Sequence, residues 1–476
     1  MNGVISVLIF IVVAGTLIFV PQLAAPYESV YGEVSVFSCA KALAICAVAT
    51  FCAGILIRRI PNYGRYLLKL FLFALLIRVF IAIAIFVFNG QDFFGGDAWT
   101  YDYYGLRQML AWGGDKSAQT SVDYFTGTGL ASAWGMLYIV GAIYSIIGRN
   151  MLAIQFFNAV LGAATAPIIF LCAEHVFNNR NVARVAGLAV GFYPSLVLWS
   201  SQGLKDGPTV FFLALSILAT LKVGQSLNLR YLAVLIVSLV GVLAFRFYVF
   251  YMMLAAIIGS YIMGMKALTA QSMARQFVVV LVIGLSLTYF GITRYATAQF
   301  ETYGNLEQLN RSRQNLATAA KSGFGQDVDV STTSGALTTI PSGLVYLLFA
   351  PFPWQLGSLR QSLTLPEMVV WWAAFPLLIL GAWFSLRYRL RQMAPILIFT
   401  SMLTLAYSVF QGNVGTAYRQ RAQVLVFYFI FVAVGSVLVK EKRDERRRRA
   451  AEELRLATRG LKTRPADPRA TGLADA

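Results

Sequence analysis

An acidic loop follows the third apolar stretch of the chain, and its residues could carry out acid–base chemistry. The loop begins "NGQDFFGGDAWTYDYYGLRQM", residues 89–109, in which Asp97 comes directly after two glycines. Glycine lets the backbone turn sharply and bring a side chain close to another group. Four aromatic residues lie near this aspartate in the sequence: Phe93, Phe94, Trp99 and Tyr101. A carboxylate covered by such rings would be partly desolvated, which raises its pKa and suits it to accept a proton from an attacking hydroxyl.

Helical geometry predicts which neighbours share a face with Asp97. If residues 97–110 are helical, Tyr101 and Tyr104 lie on its side, whereas Asp102 is turned away by roughly 140°. Asp97 and Asp102 are the candidate catalytic acids, and the two tyrosines are candidates for positioning an acceptor. The residue types alone also fit a second interpretation, in which an aspartate caps an interfacial helix and the aromatics form the ordinary membrane-interface belt.

Two arginines precede the last apolar stretch, in "QGNVGTAYRQRAQ". Arg419 and Arg421 lie on the external side of the topology derived below, where positive charge is disfavoured. Guanidinium groups bind phosphate oxygens through two parallel hydrogen bonds, so we predict that both arginines bind a lipid phosphate. Because residues spaced i, i+2 do not share one side of a helix, they fit a turn that leads into the last span. The alternative is that they pair with the external acids.

Further charged residues lie at the external ends of apolar stretches. "SQGLKDGPTVFF" contains Lys205, which could bind a phosphate oxygen, and Asp206, which could position the acceptor or a metal. Asp206 equally fits the N-cap of the next helix, with Pro208 in the first turn. "AFRFYVFYMM" contains Arg246, which fits interfacial snorkelling.

A long segment, residues 294–366, is predicted to combine a mobile part with an aromatic, proline-rigid element at the membrane edge. Asp327 and Asp329 form a DxD-like pair that could hold a divalent metal. Flexible loops also carry acidic pairs for solubility, so both interpretations stay open. Three residues of "LFAPFPWQLGS" could line a groove for the acceptor or the lipid: Pro351, Pro353 and Trp354.

Composition places all these residues in a polytopic membrane protein. The chain is 58% hydrophobic and only 13% charged, with a mean hydropathy of +0.67. The net charge of +18 lies mostly in short loops and the C-terminal tail, which is an orientation signal and not the basic face that nucleic-acid binding requires. The four cysteines lie in apolar runs without ligand spacing, so we expect neither disulfides nor a zinc site.

About twelve stretches are long and apolar enough to span the membrane. They lie near residues 4–21, 36–57, 67–88, 151–173, 184–201, 208–225, 230–246, 248–265, 276–293, 367–386, 393–411 and 422–439. The basic loops form a consistent cytoplasmic set only if the glycine-rich segment 129–148 is an interfacial or re-entrant helix. This predicts an all-α polytopic fold with external interfacial helices and both termini in the cytoplasm.

These spans divide the chain into five regions. Residues 1–66 hold two extra N-terminal spans, and residues 67–293 form the core, which includes the external catalytic loop 89–150. Residues 294–366 form the long external loop, which is followed by the C-terminal spans 367–439. A basic cytoplasmic tail, 440–476, ends the chain, and its first part could be an amphipathic helix on anionic lipid.

The glycine–aspartate pair, followed four residues later by tyrosine in the first large external loop, resembles the GT-C glycosyltransferase superfamily. The resemblance continues through "GMLYIVGAIYSIIGRN" and "SQGLKDGPTVFF" and covers residues 67–265. Relatives include protein O-mannosyltransferases and lipid A aminoarabinose transferases. The resemblance implies a catalytic acid in this loop, a sugar donor linked to polyprenyl phosphate, and a cation near Arg246 that faces the lipid phosphate. The His-Pro-Pro signature of several relatives is absent from residues 89–128.

The sequence therefore predicts an integral membrane glycosyltransferase of the bacterial inner membrane. It would move a sugar from a polyprenyl-phosphate carrier to a glycan, lipid or protein acceptor at the outer face, in envelope or exopolysaccharide assembly. One alternative is an O-antigen or polysaccharide polymerase or ligase, which would not need the early Gly-Asp loop. Another is a lipid-linked sugar flippase or transporter, which would require ionisable residues in the middle of spans, where this chain has little besides Arg78.

Overall fold

Every regular element in the described part of the chain is a helix, as the composition predicts. The structure, a computed structural model, describes residues 2–127, 134–226, 228–264, 284–285, 305–318 and 322–462. The first α-helices are α1 (Asn2–Ala24), α2 (Glu28–Tyr31), α3 (Val36–Arg58), α4 (Gly64–Val87), α5 (Gln91–Phe94), α6 (Asp97–Trp112), α7 (Lys116–Phe125), α8 (Trp134–Ile147), α9 (Met151–Phe177) and α10 (Arg180–Phe192). They are followed by α11 (Pro194–Ser200), α12 (Asp206–Gln225), α13 (Leu229–Phe245), α14 (Phe247–Gly264), α15 (Leu306–Thr318), α16 (Thr333–Phe349), α17 (Leu359–Tyr388), α18 (Leu390–Phe410), α19 (Val414–Gln420) and α20 (Ala422–Lys462).

The membrane-spanning helices largely coincide with the predicted spans. Within the described ranges, eight helices are long and apolar enough to cross a membrane: α3, α4, α9, α12, α17, α18, α20 and the N-terminal segment that includes α1. The bent pair α10 and α11 coincides with the predicted span 184–201, and the shorter apolar helices α13 and α14 coincide with the next two predicted spans. The predicted span 276–293 lies outside the described residues except for 284–285. A multi-pass, all-α membrane protein is confirmed, whereas twelve spans stay a prediction.

Short helices form the loop that was predicted to be external and catalytic. Helices α5, α6 and α7 follow α4 in short succession, and α6 is helical from Asp97 onward, as the facial argument assumed. Helix α8, which corresponds to the predicted interfacial segment, has 14 residues. At 1.5 Å per residue the described helix is roughly 21 Å long, shorter than a hydrocarbon core of about 30 Å, and residues 129–133 of the predicted segment lie outside the described residues.

Helix α9 forms the centre of the bundle and packs against α3, α4, α10 and α12. Small residues make these approaches possible, as is usual where membrane helices pack closely. A Cβ at Gly162 of this helix would lie 2.3 Å from the Cβ of Ser200, so α11 can approach α9 only because residue 162 is glycine. This approach fixes α11, which leads into the loop that carries Lys205 and Asp206.

The bend of 52° between α10 and α11 is stabilised by the mid-span arginine. Pro194 begins α11 and has no backbone N–H, so carbonyl groups of the preceding turn lose their donors. Arg78 donates to the Gly191 carbonyl at 2.7 Å and to the Ser200 hydroxyl at 2.8 Å. The buried charge in the span therefore stabilises the break in the helix.

The long external loop contains more structure than we predicted. Helix α16 occupies much of the segment expected to be mobile, and Thr332 caps it by accepting a hydrogen bond from the Gly335 N–H at 3.1 Å. The proline and glycine residues of "TSGALTTIPSGLVYLLF" suggested irregular backbone, but its apolar C-terminal half packs against α18. Tertiary packing thus outweighs weak local propensity in this segment.

Candidate active site

A cavity of about 940 Å³ lies at one end of the membrane helices and brings together several of the predicted site residues. Helices α4, α11, α17 and α19 contribute to its walls. Four of the predicted site residues line it: Asp97, Lys205, Arg246 and Arg419. This volume lies in the usual range for small-molecule sites, which combine apolar walls with a few convergent polar groups.

Asp97 lies at the edge of the cavity, at the first position of α6. The turn before it needs glycine, because Gly95 has φ of 123°, a conformation that other residues rarely adopt. The Asp97 side chain is 55% exposed, and its Oδ2 accepts a hydrogen bond from Arg419 Nη1 at 2.5 Å. The predicted aromatic cover is missing, since Trp99 instead donates to Asp92 and stacks on Tyr31. The carboxylate is therefore accessible and paired, not desolvated.

Asp206 is buried next to this pair and joins two arginines. Its Oδ2 accepts from Arg419 Nε at 2.7 Å and lies 2.6 Å from Arg419 Nη2 in an ion pair, and its Oδ1 accepts from Arg246 Nη2 at 3.1 Å. Asp206 is the first residue of α12, and the N-cap position belongs to Lys205, so the carboxylate binds guanidinium groups and not the helix terminus. The interpretation of Asp206 as an N-cap is wrong. Two arginines on one buried carboxylate leave positive charge for an anionic ligand.

A chain of hydroxyl and amide groups orients Arg246 on its other side. Arg246 Nη1 donates to the Tyr248 hydroxyl at 2.7 Å, and that hydroxyl lies 3.4 Å from the hydroxyl of Tyr407. Tyr407 in turn donates to Gln423 Oε1 at 3.0 Å. These contacts connect α13, α14, α18 and α20, so the position of the guanidinium depends on the packing of four helices. Arg246 is therefore held inward and does not snorkel.

Lys205 adds a titratable cation to the cavity wall. Burial, together with the nearby guanidinium of Arg246, lowers the pKa of its ammonium group to about 7. The same site also affects Tyr101, which is buried one turn after Asp97. Burial, followed by the negative charge of Asp97, raises the pKa of the Tyr101 hydroxyl. Both residues therefore belong to the electrostatic environment of Asp97 and Arg419.

Asn413 places Arg419 by starting the short helix α19. Its Oδ1 accepts from the backbone N–H groups of Gly415 at 2.8 Å and Thr416 at 3.3 Å, and from the Ser322 hydroxyl at 3.0 Å. Its amide nitrogen donates to the Leu316 carbonyl at 3.3 Å. The long external loop thus contributes directly to the geometry of the site. The sequence suggested a turn here, and the structure shows a short helix of about two turns with a side-chain cap.

Asp102 lies apart from these contacts. It is buried, with 4% of its side chain exposed, and accepts from the Tyr144 hydroxyl at 2.6 Å and from Arg149 Nη2 at 2.6 Å. Arg149 also donates to the Val30 carbonyl, and its hydrogen bonds to Asp102 raise the pKa of its guanidinium. All the observed partners of Asp102 connect α6 to α8 and the N-terminal region. We correct its assignment from catalytic acid to structural residue.

Arg421 also differs from the prediction. It is buried and donates to the carbonyls of Leu348 at 3.0 Å and Ala350 at 3.4 Å, which lie at the C-terminal end of α16. It therefore stabilises a helix end, where cations are favourable, and does not line the cavity. The prediction that both arginines bind phosphate is wrong for Arg421. The physical reason is that residues two apart on a helical backbone are turned by roughly 200°, so Arg419 near the end of α19 and Arg421 just after it point in different directions.

The remaining predicted residues lie outside the cavity lining. Tyr104 stacks on Phe125 with ring centroids 4.0 Å apart, so it anchors α6 to α7 and does not face the cavity. Trp354 is 76% exposed and stacks on Phe352. Of the predicted groove residues, Pro351 does line the cavity.

The acidic pair in the long loop does not converge on other ligands. Asp327 and Asp329 are both exposed. Asp329 accepts from the backbone N–H of Ser331 at 2.8 Å, a hydrogen bond that lowers the pKa of its carboxyl group. No group of three or more metal-ligating side chains occurs in the described part of the chain. The pair closes a local turn and offers too few ligands for a metal cage.

Two residues that the sequence analysis missed also line the cavity. Glu367 is buried in the N-terminal part of α17, and Trp199 lies at the end of α11 with its ring 5.8 Å from the guanidinium carbon of Arg419. Glu367 carried a usable signal, because an ionisable residue in an apolar helix is costly and often functional. Trp199 carried none, since tryptophan is common at the membrane interface.

The comparisons with known proteins bear on the middle of the chain. Residues 131–291 match the family model described as dolichyl-phosphate-mannose-protein mannosyltransferase. The match confirms the predicted resemblance. The matched segment contains Lys205, Asp206 and Arg246, whereas Asp97 and Arg419 lie outside it. The matched segment therefore covers one part of the site, and the contacts described above connect it to Asp97 and Arg419.

A solved structure is also similar to the chain. The apo form of the Archaeoglobus fulgidus oligosaccharyltransferase aligns over 83% of this chain with a TM-score of 0.43 and 14% sequence identity. This chain covers 52% of that enzyme, about half of its length. No curated protein matches the chain.

Proposed function

We propose that the chain is a membrane glycosyltransferase that moves a sugar from a polyprenyl-phosphate carrier to a glycan, lipid or protein acceptor. The reaction would take place at the outer face of a bacterial inner membrane, in envelope or exopolysaccharide assembly, with both termini in the cytoplasm. The contact between Asp97 and Arg419 carries this proposal. It joins a candidate base to a candidate phosphate-binding cation at the edge of one cavity, although the two residues are far apart in the sequence.

The carrier phosphate would bind at the cationic end of the cavity, which is formed by Lys205, Arg246 and Arg419. Asp206 orients both guanidinium groups before the ligand arrives, so little reorganisation is needed when charge develops on the phosphate. The apolar walls of the cavity include Ile77 and Leu198, which suit a polyprenyl chain. These features support a lipid-linked phosphate better than a soluble nucleotide sugar.

The chemical step would use Asp97 as general base. The acceptor hydroxyl oxygen forms a bond to the anomeric carbon, and the bond between that carbon and the phosphate oxygen breaks. The hydroxyl proton moves to Asp97, and the carrier phosphate leaves with the bonding electron pair, stabilised by Arg419. Before donor binding, Asp97 and Arg419 neutralise each other. A donor phosphate that takes over Arg419 would free the carboxylate for proton transfer.

The geometry favours this function over the two alternatives. A polymerase or ligase centred on Arg419 would not need a carboxylate from the early loop, yet Asp97 contacts this arginine directly. A transporter should carry ionisable residues along its spans. The buried mid-span Arg78 instead donates to the Gly191 carbonyl at the break between α10 and α11, which is a structural contact.

Complementation of a deletion strain tests the proposal. We expect Asp97→Asn to abolish glycan production at wild-type membrane levels, because an amide cannot accept the hydroxyl proton. Asp123→Asn is the matched control, since Asp123 is an exposed acid of the same loop whose carboxylate accepts from Gln119 alone among the described contacts. Glycan composition is measured after hydrolysis. Full complementation by Asp97→Asn would overturn the assignment of the base.

A further inference from the structure

The cavity has a second polar end that the proposed mechanism does not use. Glu367 lines it and is 7% exposed, and its Oε2 accepts from the Tyr418 hydroxyl at 2.8 Å. Ser195 and Tyr193 lie beside the same carboxylate. A buried carboxylate in a membrane helix is costly, so its retention needs a reason.

The hydrogen bonds of this acidic end are incomplete. Among the described residues, no well-aligned hydrogen-bond partner meets the buried Glu367 Oε1 or the buried Tyr193 hydroxyl oxygen, even though Ser195 and Tyr193 lie close to the carboxylate. The buried Trp199 Nε1 likewise has no acceptor in the described part of the chain. Arg421 does not neutralise Glu367 by a direct contact, since its closest partners are carbonyl groups and Met368. Such atoms are expensive to leave unpaired, and they are complementary to a ligand that carries several hydroxyl groups.

The two ends of the cavity are neighbours through α19 and Trp199. Tyr418 contacts Glu367, and the next residue, Arg419, contacts Asp97 and Asp206. The Trp199 ring lies 5.8 Å from the guanidinium carbon of Arg419 and 6.4 Å from the Tyr418 ring. A group attached directly to a phosphate at the cationic end would therefore extend along Trp199 towards Glu367.

We propose that Glu367, with Tyr418 and Ser195, forms a hydroxyl-recognition subsite that binds the sugar of the donor and helps determine which sugar is accepted. This inference rests on the proposed function, because it assigns the ligand of the same cavity. Glu367 accepts hydrogen bonds from sugar hydroxyls, and the Tyr193 hydroxyl and Trp199 N–H supply further polar contacts. The bare carrier phosphate does not reach this subsite.

Binding measurements on the full-length protein in detergent test the subsite without requiring turnover. The probes are polyprenyl phosphate alone and polyprenyl phosphate carrying mannose, glucose or galactose, each also as monodeoxy analogues. The variants are Glu367→Gln, Ser195→Ala as the smaller change, and Glu445→Gln as the matched control. Glu445 is exposed on the C-terminal part of α20, where it pairs with Arg449.

We expect Glu367→Gln to weaken binding of the preferred sugar-loaded carrier by about tenfold or more and to leave binding of the bare carrier unchanged. The loss should disappear for the one deoxy analogue that lacks the recognised hydroxyl. A merely structural role would weaken both carriers equally, and that result overturns the proposal. Wild-type protein that binds loaded and bare carriers equally also overturns it. Failure of the base assignment appears separately, as full complementation by Asp97→Asn.

Discussion

Helix α6 carries two aspartate–arginine pairs with opposite properties. Asp97 is half exposed at the edge of the cavity, and its one arginine partner, Arg419, is shared with Asp206. Asp102 is buried five residues later, and Tyr144 and Arg149 occupy both of its oxygens. The difference teaches that residue type and spacing do not identify a catalytic acid. What matters is whether its lone pairs stay available to a ligand.

Arg419 at the end of α19 and Arg421 just after it show the same contrast. Arg419 faces the cavity and pairs with two carboxylates, whereas Arg421 donates hydrogen bonds to carbonyl groups at the end of α16. In both comparisons one residue can exchange its partner for a substrate and the other is fixed in the fold. The predictions below therefore separate effects on turnover and binding from effects on stability.

The largest expected effect is on turnover, where variants of Asp97 and Asp102 should differ most. Asp97→Asn should lower kcat by about 10²–10⁴-fold, the usual contribution of a positioned base. Asp102→Asn should leave kcat per folded molecule within a few fold. The assay is transfer from a labelled polyprenyl-phosphate sugar in proteoliposomes. Equal losses in the two variants would remove the distinction.

The next effect separates the two arginines in carrier binding. Arg419→Gln should weaken binding of polyprenyl phosphate by about 10–100-fold, because a charged phosphate contact is lost. Arg421→Gln should bind the carrier normally but unfold at a lower temperature, since helix-end carbonyls lose their donor. Titration calorimetry and thermal unfolding measure the two properties. A loss of carrier affinity in Arg421→Gln would contradict its structural assignment.

A smaller effect concerns the buried pair on α6. Asp102→Asn should destabilise the protein by about 1–3 kcal/mol, because Arg149 and Tyr144 lose a charged acceptor. The Tm in detergent should fall relative to wild type, and Asp123→Asn should show no change. An unchanged Tm in Asp102→Asn would show that the pair does not hold α6 in place.

The smallest effect is a pH dependence that arises from Lys205. Its pKa of about 7 means that the ammonium is charged below pH 7 and loses its charge as the pH rises. A phosphodiester donor keeps its negative charge in this range, so kcat/KM for the donor should fall a few fold above pH 7. Lys205→Arg, which stays protonated, should remove that decline. If kcat/KM of Lys205→Arg falls in the same way above pH 7, a group other than Lys205 causes the decline.

The sequence predicted those parts that depend on local pattern. Apolar length predicted the location of the described spans. The Gly-Asp turn and the cations next to apolar stretches singled out Asp97, Lys205 and Arg419 as candidate site residues, and the structure places these three on one cavity. It could not predict partners that come together through packing, such as Arg149 with Asp102. The direction in which the Arg421 side chain points depends on where the helix capped by Asn413 begins. The position of Glu367 on the cavity depends on the packing of helices that are distant in the sequence. These features require the three-dimensional arrangement.

The affinity of Asp97→Asn for polyprenyl phosphate tests the central claim most directly. If Asp97 and a donor phosphate compete for Arg419, the variant should bind the carrier at least as tightly as wild type while it no longer transfers sugar. Titration of both proteins with the same carrier, at fixed salt, gives the two dissociation constants. Markedly weaker binding by Asp97→Asn would contradict the account, because Asp97 would then support the phosphate site and not compete with it.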